Sequence, residues 1–143
     1  MEPFARPAGG ALRMSLSAYS FRKYLTDKTS AGMDLFQFVD WCHQHEVPGA
    51  ELTSYYFPDD VDDQYLLKLK RHCQLRGVTI SGGAIRNNFC SQNDEAIASD
   101  LQHTRMWIDR YALLGAPVIR IFAGDQPNDV SKEQTIQRCA RVC

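Results

Sequence analysis

Four short segments of this 143-residue chain end in side chains suited to holding a small polar molecule. The first ends in Tyr19, Ser20 and Phe21, and the second carries Glu51, Thr53, Tyr55 and Tyr56. The third ends in Arg86, Asn87 and Asn88, and the fourth in Phe122, Gly124 and Asp125. Aromatic rings stack on the C–H faces of a polyhydroxylated ligand, while amides and carboxylates take its hydroxyls. Tyr19, Asn87 and Phe122 are the residues read as ligand contacts on this ground.

Glu51 and Arg120 fall at inward-facing strand positions, where a lone charge is costly and pairing is the usual remedy. They are expected to form an internal ion pair or join a polar network; the alternative is that one of them touches substrate. The histidines do not make a metal site. His43 and His45 lie two apart on a helix and diverge, and His72 and His103 are helical and distant from strand ends. All four read as solvated or partly buried helix residues. The five cysteines (Cys42, Cys73, Cys90, Cys139, Cys143) show no C-x-x-C spacing and read as reduced thiols filling small core spaces.

These residues are positioned by an alternation of short apolar runs and longer helical periods. Strands are expected at Leu12–Ser20, Ala50–Tyr56, Val78–Ile85 and Pro117–Ala123. Leu35, Phe38, Val39 and Cys42 mark the buried face of a helix from Asp34, closed by Val47-Pro48-Gly49. Asp59, Asp60, Asp62 and Asp63 favour the start of the next, which buries Leu66, Leu69 and Cys73 and stops at Gly77. Asn93, Asp94 and Glu95 open a long helix with apolar positions Ile97, Leu101, Ile108 and Ala112, closing at Gly115. Ser131 and Gln134 form a capping box for a fourth helix, which reaches Cys143 with no stop signal.

Strands alternating with helices imply a parallel sheet. Each strand has an apolar side and a polar one: Met14, Leu16 and Ala18 against Ser15, Ser17 and Tyr19; Ala50 and Leu52 against Glu51 and Thr53. Val78 and Ile80 oppose Thr79 and Ser81, and Ile119 and Ile121 oppose Arg120 and Phe122. A doubly wound sheet is covered by helices on both faces and reads as continuously apolar. The alternation therefore points to a barrel with helices outside only. Its ligand site would lie at the C-terminal strand ends, where the residues above fall. No G-x-G-x-x-G or Walker motif supports a nucleotide-binding sheet.

Composition narrows the class further. The chain is 44% hydrophobic with a formal net charge of −1, and no stretch concentrates basic residues, so a nucleic-acid partner is not expected. No segment reaches the roughly 18 apolar residues of a membrane span or the pattern of a signal peptide, and a cytoplasmic location is the default.

The segments L-S-A-Y-S-F at 16–21, G-A-E-L-T-S at 49–54, G-V-T-I-S-G-G-A-I-R-N-N-F at 77–89 and L-G-A-P-V-I-R-I-F-A-G at 114–124 carry a resemblance. In order and spacing the chain resembles the xylose isomerase-like TIM-barrel superfamily, in particular the sugar phosphate isomerases/epimerases. The resemblance implies an α/β fold: about four βα units, the N-terminal half of a (β/α)₈ barrel, spanning 12–143 and cut within its fourth helix. A flexible segment, 1–11, precedes it. It also implies a metal-dependent isomerase or epimerase of a sugar, sugar phosphate or polyol, moving a proton at a carbonyl or hydroxyl carbon. Its cation (Mn²⁺, Mg²⁺, Co²⁺ or Zn²⁺) would be held by residues of the second half, and none is expected from those present. The substrate-pocket positions it supplies are Tyr19, Phe21, Glu51, Asn87, Asn88, Arg120 and Phe122. A non-catalytic half-barrel that self-assembles through its exposed edges is the alternative. The AP-endonuclease branch is disfavoured, because Tyr55-Tyr56 and Asn87-Asn88 stand where its histidine ligands would be.

Overall fold

The computed structural model describes residues 13–27, 29 and 31–142; the expected flexible segment 1–11, Leu12 and Cys143 lie outside them. Four parallel strands lie side by side in chain order: β1 (Leu16–Ser17), β2 (Gly49–Thr53), β3 (Thr79–Ala84) and β4 (Ile119–Arg120). Between and after them run α1 (Arg22–Leu25), α2 (Leu35–Gln44), α3 (Asp63–Leu75), α4 (Asp94–Leu114) and α5 (Lys132–Val142). The α/β class and the parallel sheet are as the alternation predicts. Among the described residues no helix is long and apolar enough to cross a membrane.

Side-chain caps fix the helix starts. Asp34 and Gln37 close a reciprocal capping box on α2, both bonds at 2.8 Å. The Asp62 carboxylate accepts the Tyr65 N–H at 2.8 Å, and Asn93 accepts from Glu95 and Ala96. The expected box at α5 forms, with the Gln134 N–H reaching Ser131 Oγ at 3.2 Å. Gly115 closes α4 in the left-handed region at φ 84°. The end of α2 differs from expectation. Glu46 takes the left-handed turn at φ 57°, and Gly49 is already the first residue of β2. Glycine is needed at 49 for another reason: an added Cβ would stand 2.9 Å from that of Ser15, just before β1.

The paired strands are shorter than their apolar runs. After Ser17 the chain leaves the sheet, because the Ser17 hydroxyl accepts the Tyr19 N–H and starts a 3₁₀ turn over Ala18–Phe21. In β3 the register slips by one: Ile80 faces Ala50 and Gly82 faces Glu51, so Ser81 is bulged and bonds Ser15 Oγ instead. Beyond the bulge, Gly83 shares a side with Leu52 and Ile119, while Ala84 shares the other with Thr53 and Arg120.

The apolar side packs on the helices. Leu35, Phe38, Val39 and Cys42 of α2 and Leu66, Leu69 and Cys73 of α3 are buried against Ala50, Leu52 and Ile80, as their spacing predicts. Burial pushes the Cys42 thiol up to about 11 and the Cys73 thiol to about 12, so both stay protonated fillers of the core. On α4 the buried stripe is Ile97, Thr104, Trp107, Tyr111 and Leu114, whereas Ile108 is 49% exposed and Ala112 is also exposed. The aromatic rings displace the expected aliphatic stripe because Gly83 leaves room for one of them. The Tyr111 ring occupies the place of a Gly83 side chain, and its hydroxyl meets the carbonyls of Leu52 (2.7 Å) and Ala84 (3.2 Å). On β4 the expected apolar side is only partly covered. Ile121 is 42% exposed, since α5 approaches the chain at Ala123 and Gly124, past the paired residues.

One ionic cluster joins α2 to α3. Asp40 Oδ1 accepts from His72 Nε2 at 2.8 Å and from Arg76 Nε at 2.6 Å. Partial burial opposes ionisation of Asp40, but the contacts to Arg76 and His72 outweigh it and hold the carboxyl below its ordinary range. A depressed carboxyl stabilises the fold above its unfolded value, about pH 4, and that stability is lost as pH falls through the folded value. The parent chain should therefore lose thermal stability below pH 4 more steeply than Asp40→Asn. At neutral pH the substitution should cost no more than about 1 kcal/mol, because solvent screens the cluster. Thermal melts across pH 2–7 read both.

Candidate functional site

The strand ends converge. Beyond β1, Tyr19 sits in the 3₁₀ turn and Arg22 begins α1; beyond β2, Ser54–Tyr56 form a second 3₁₀ turn. Beyond β3 come Arg86, Asn87 and Asn88, and beyond β4 come Phe122, Gly124 and Asp125. Together with Arg120, and with Asp100, His103 and Trp107 from α4, they line one open cavity of about 1370 Å³. All four connections follow the C-terminal ends of parallel strands, where open or closed α/β sheets place their ligands.

Five of the seven predicted pocket residues line this cavity: Tyr19, Asn87, Asn88, Arg120 and Phe122. Their roles differ. Tyr19 and Phe122 leave 48% and 43% of their surface open, and each carries a guanidinium on its ring: Arg22 at 5.2 Å over Tyr19, Arg120 at 4.5 Å over Phe122. Asn87 is buried, and both polar atoms of its amide bond the backbone. Its Nδ2 donates to the Phe122 carbonyl at 2.6 Å, and its Oδ1 accepts the Phe122 N–H at 2.9 Å. The side chain thus stands in for a strand partner, extending the β3–β4 ladder after Ile85 N–H has met the Arg120 carbonyl at 3.1 Å. Asn88 holds its own loop: its N–H donates to Asp100 at 2.7 Å, and its Oδ1 accepts the Cys90 N–H at 3.1 Å.

The other two stand apart from the cavity wall. Phe21 packs at 5.4 Å on Phe38 and 4.7 Å on Trp41, so the ring next to Tyr19 belongs to the core. Glu51 is half-buried and accepts the Ser17 hydroxyl at 3.3 Å. The expected Glu51–Arg120 ion pair is not among the ion pairs of the described residues, because Arg120 turns along the sheet onto Phe122. Glu51 keeps the polar network of that expectation, and Arg120 keeps a free guanidinium.

His103 corrects an expectation. Together with Asp100 and Trp107 it forms a stripe along α4 that lines the cavity, its ring 6.3 Å from that of Trp107. The i, i+3, i+7 spacing of these three residues was visible in the sequence, but the approach of α4 to the strand ends was not. Arg22 was overlooked, although it adjoins the selected Phe21, and Arg86 was placed at its strand end without being chosen as a pocket residue. Among the described residues no three His, Cys, Asp or Glu side chains converge to hold a cation. Asp100, the cavity carboxylate on α4, is already engaged by the Asn88 N–H. The donors present do not fit a metal centre.

No protein-family profile matches the chain, and no curated protein does. Among solved structures it is similar to the crystal structure of protein SMc04130 from Sinorhizobium meliloti 1021. The TM-score is 0.67 at 16% sequence identity, over 90% of this chain and 43% of that one. The two share an α/β fold. This chain spans less than half the length of that structure.

Proposed function

We propose that the chain forms the N-terminal half of a (β/α)₈ barrel and supplies one wall of a sugar or polyol pocket in an isomerase or epimerase. Support for the barrel comes from strand order. The strands run 1-2-3-4 without the reversal that defines a doubly wound sheet. The observation that carries the function is the cavity at the four strand ends, where the partly exposed rings of Tyr19 and Phe122 each lie against a guanidinium.

In this reading Tyr19 and Phe122 take the C–H faces of the substrate and exclude water from them, and Arg22, Arg86 and Arg120 orient its oxygens. Asn87 holds Phe122 in place through the backbone. A divalent cation in such reactions polarises carbonyl and hydroxyl oxygens; the residues here do not fit one, and the proton-transfer groups belong to the complementary half.

Titration calorimetry with neutral polyols tests this. The chain should bind glucitol in the millimolar range, and Phe122→Ala should weaken binding about threefold to tenfold, the worth of one stacking contact. It should not exchange substrate C–H protons with deuterated solvent. Absence of binding contradicts the pocket, and metal-dependent exchange by the chain alone contradicts the division of labour.

A second reading, a half-barrel that pairs with its own copy, is favoured by the exposed edge. Val118, Ile121 and Phe122 on and beside β4 are 64%, 42% and 43% exposed. Sedimentation at micromolar concentration separates the readings: a dimer supports self-pairing, and a monomer contradicts it.

A further inference from the structure

Arg86 and Arg120 stand at the ends of neighbouring strands. Ala84 pairs with Arg120 in register, Ile85 N–H bonds the Arg120 carbonyl, and Arg86 follows directly, so both line the same cavity. Arg22 joins them from the β1 side. Asp59, Asp100 and Asp125 also line the cavity, yet among the described residues none of these carboxylates forms an ion pair with any of the three arginines. None of the three guanidiniums is engaged in an ion pair among the described residues, so a ligand carboxylate can meet them without first displacing a cavity carboxylate. Two of the guanidiniums lie on aromatic rings, which restrains them and leaves their N–H edges free to donate.

Resting on the polyol-pocket reading, we infer that the ligand is a sugar acid: a hydroxylated chain bearing one carboxylate, held by Arg86 and Arg120. The surrounding backbone argues for a carboxylate over a phosphoryl group. Phosphoryl sites recruit free backbone N–H groups at helix N-termini or glycine-rich nests. Here the N–H of Asn88 is taken by Asp100, that of Cys90 by Asn88, that of Phe122 by Asn87 and that of Phe89 by the Ala123 carbonyl. The long helix α4 turns its middle, not its N-terminus, to the cavity. Planar guanidinium forks are what remains, and they match a planar carboxylate.

Calorimetry with three probes of similar carbon skeleton tests the inference: gluconate, glucitol and glucitol 6-phosphate. Gluconate should bind at least tenfold more tightly than glucitol at low salt, with the advantage shrinking as ionic strength rises. In Arg86→Gln and in Arg120→Gln the gluconate-to-glucitol ratio should fall to near one. Equal binding of gluconate and glucitol overturns the carboxylate site and leaves the polyol pocket standing. Tighter binding of the phosphate overturns the choice of carboxylate. Binding of none of the three overturns the pocket as well.

Discussion

Gly83→Ala is expected to cost the fold about 3 kcal/mol, far more than one added methyl would suggest. The backbone conformation there is ordinary, so the cost comes from what the methyl meets. It would fall on the Tyr111 ring, which is wholly buried between α4 and the sheet. The ring cannot swing aside freely, because its hydroxyl serves the carbonyls of Leu52 and Ala84 in the middle of β2 and at the end of β3. Moving it leaves those groups short of a donor in an apolar setting, at about 1–3 kcal/mol. Burial also raises the Tyr111 phenol well above its usual value, so it remains a donor at any physiological pH. The test is a double-mutant cycle by urea denaturation. Tyr111→Leu removes the clash, so adding Gly83→Ala to it should cost at least about 1 kcal/mol less than adding it to the parent. Simple additivity would contradict the packing described.

Asn87→Ala carries the second large effect, and it reaches the candidate site through the backbone. The asparagine amide is one of few side chains that can donate and accept toward the same residue, and here it does both to Phe122. Removing it should cost about 2 kcal/mol of stability. It should also free the segment after β4, so that the Phe122 ring and the Arg120 guanidinium resting on it lose their place. Polyol affinity should fall about tenfold, and amide hydrogen exchange at Phe122 should accelerate while that at Leu52 does not. Asn87→Asp keeps the acceptor but turns a carboxylate toward the Phe122 carbonyl, and it should be no better than alanine. Unchanged exchange at Phe122 would refute the ladder role.

Much of the scaffold was legible because its signals are local. The α2 and α3 stripes, the α5 capping box and the αβ alternation follow from periodicity and cap chemistry. What was not legible depends on contacts between segments far apart. Nothing near Ser81 announces a bulge; it arises where Ser81 meets Ser15, 66 residues earlier. The α4 stripe was misplaced because Gly83, on another element, decides which ring is buried. Phe21 and Tyr19 sit two apart in the sequence, yet the 3₁₀ turn after Ser17 sends one to the core and the other to the cavity. Asn87 was found as a cavity residue, but its bonds to the Phe122 backbone, 35 residues away, had no signal in the sequence.

The central claim is that the four strand ends form one ligand-binding wall. Amide chemical-shift mapping during a glucitol titration tests it most directly. The account predicts shifts concentrated at Tyr19, Tyr55, Asn88, Phe122 and Gly124, with α2 and α3 silent. Shifts scattered over the surface, or gathered on the α2–α3 side, would contradict it.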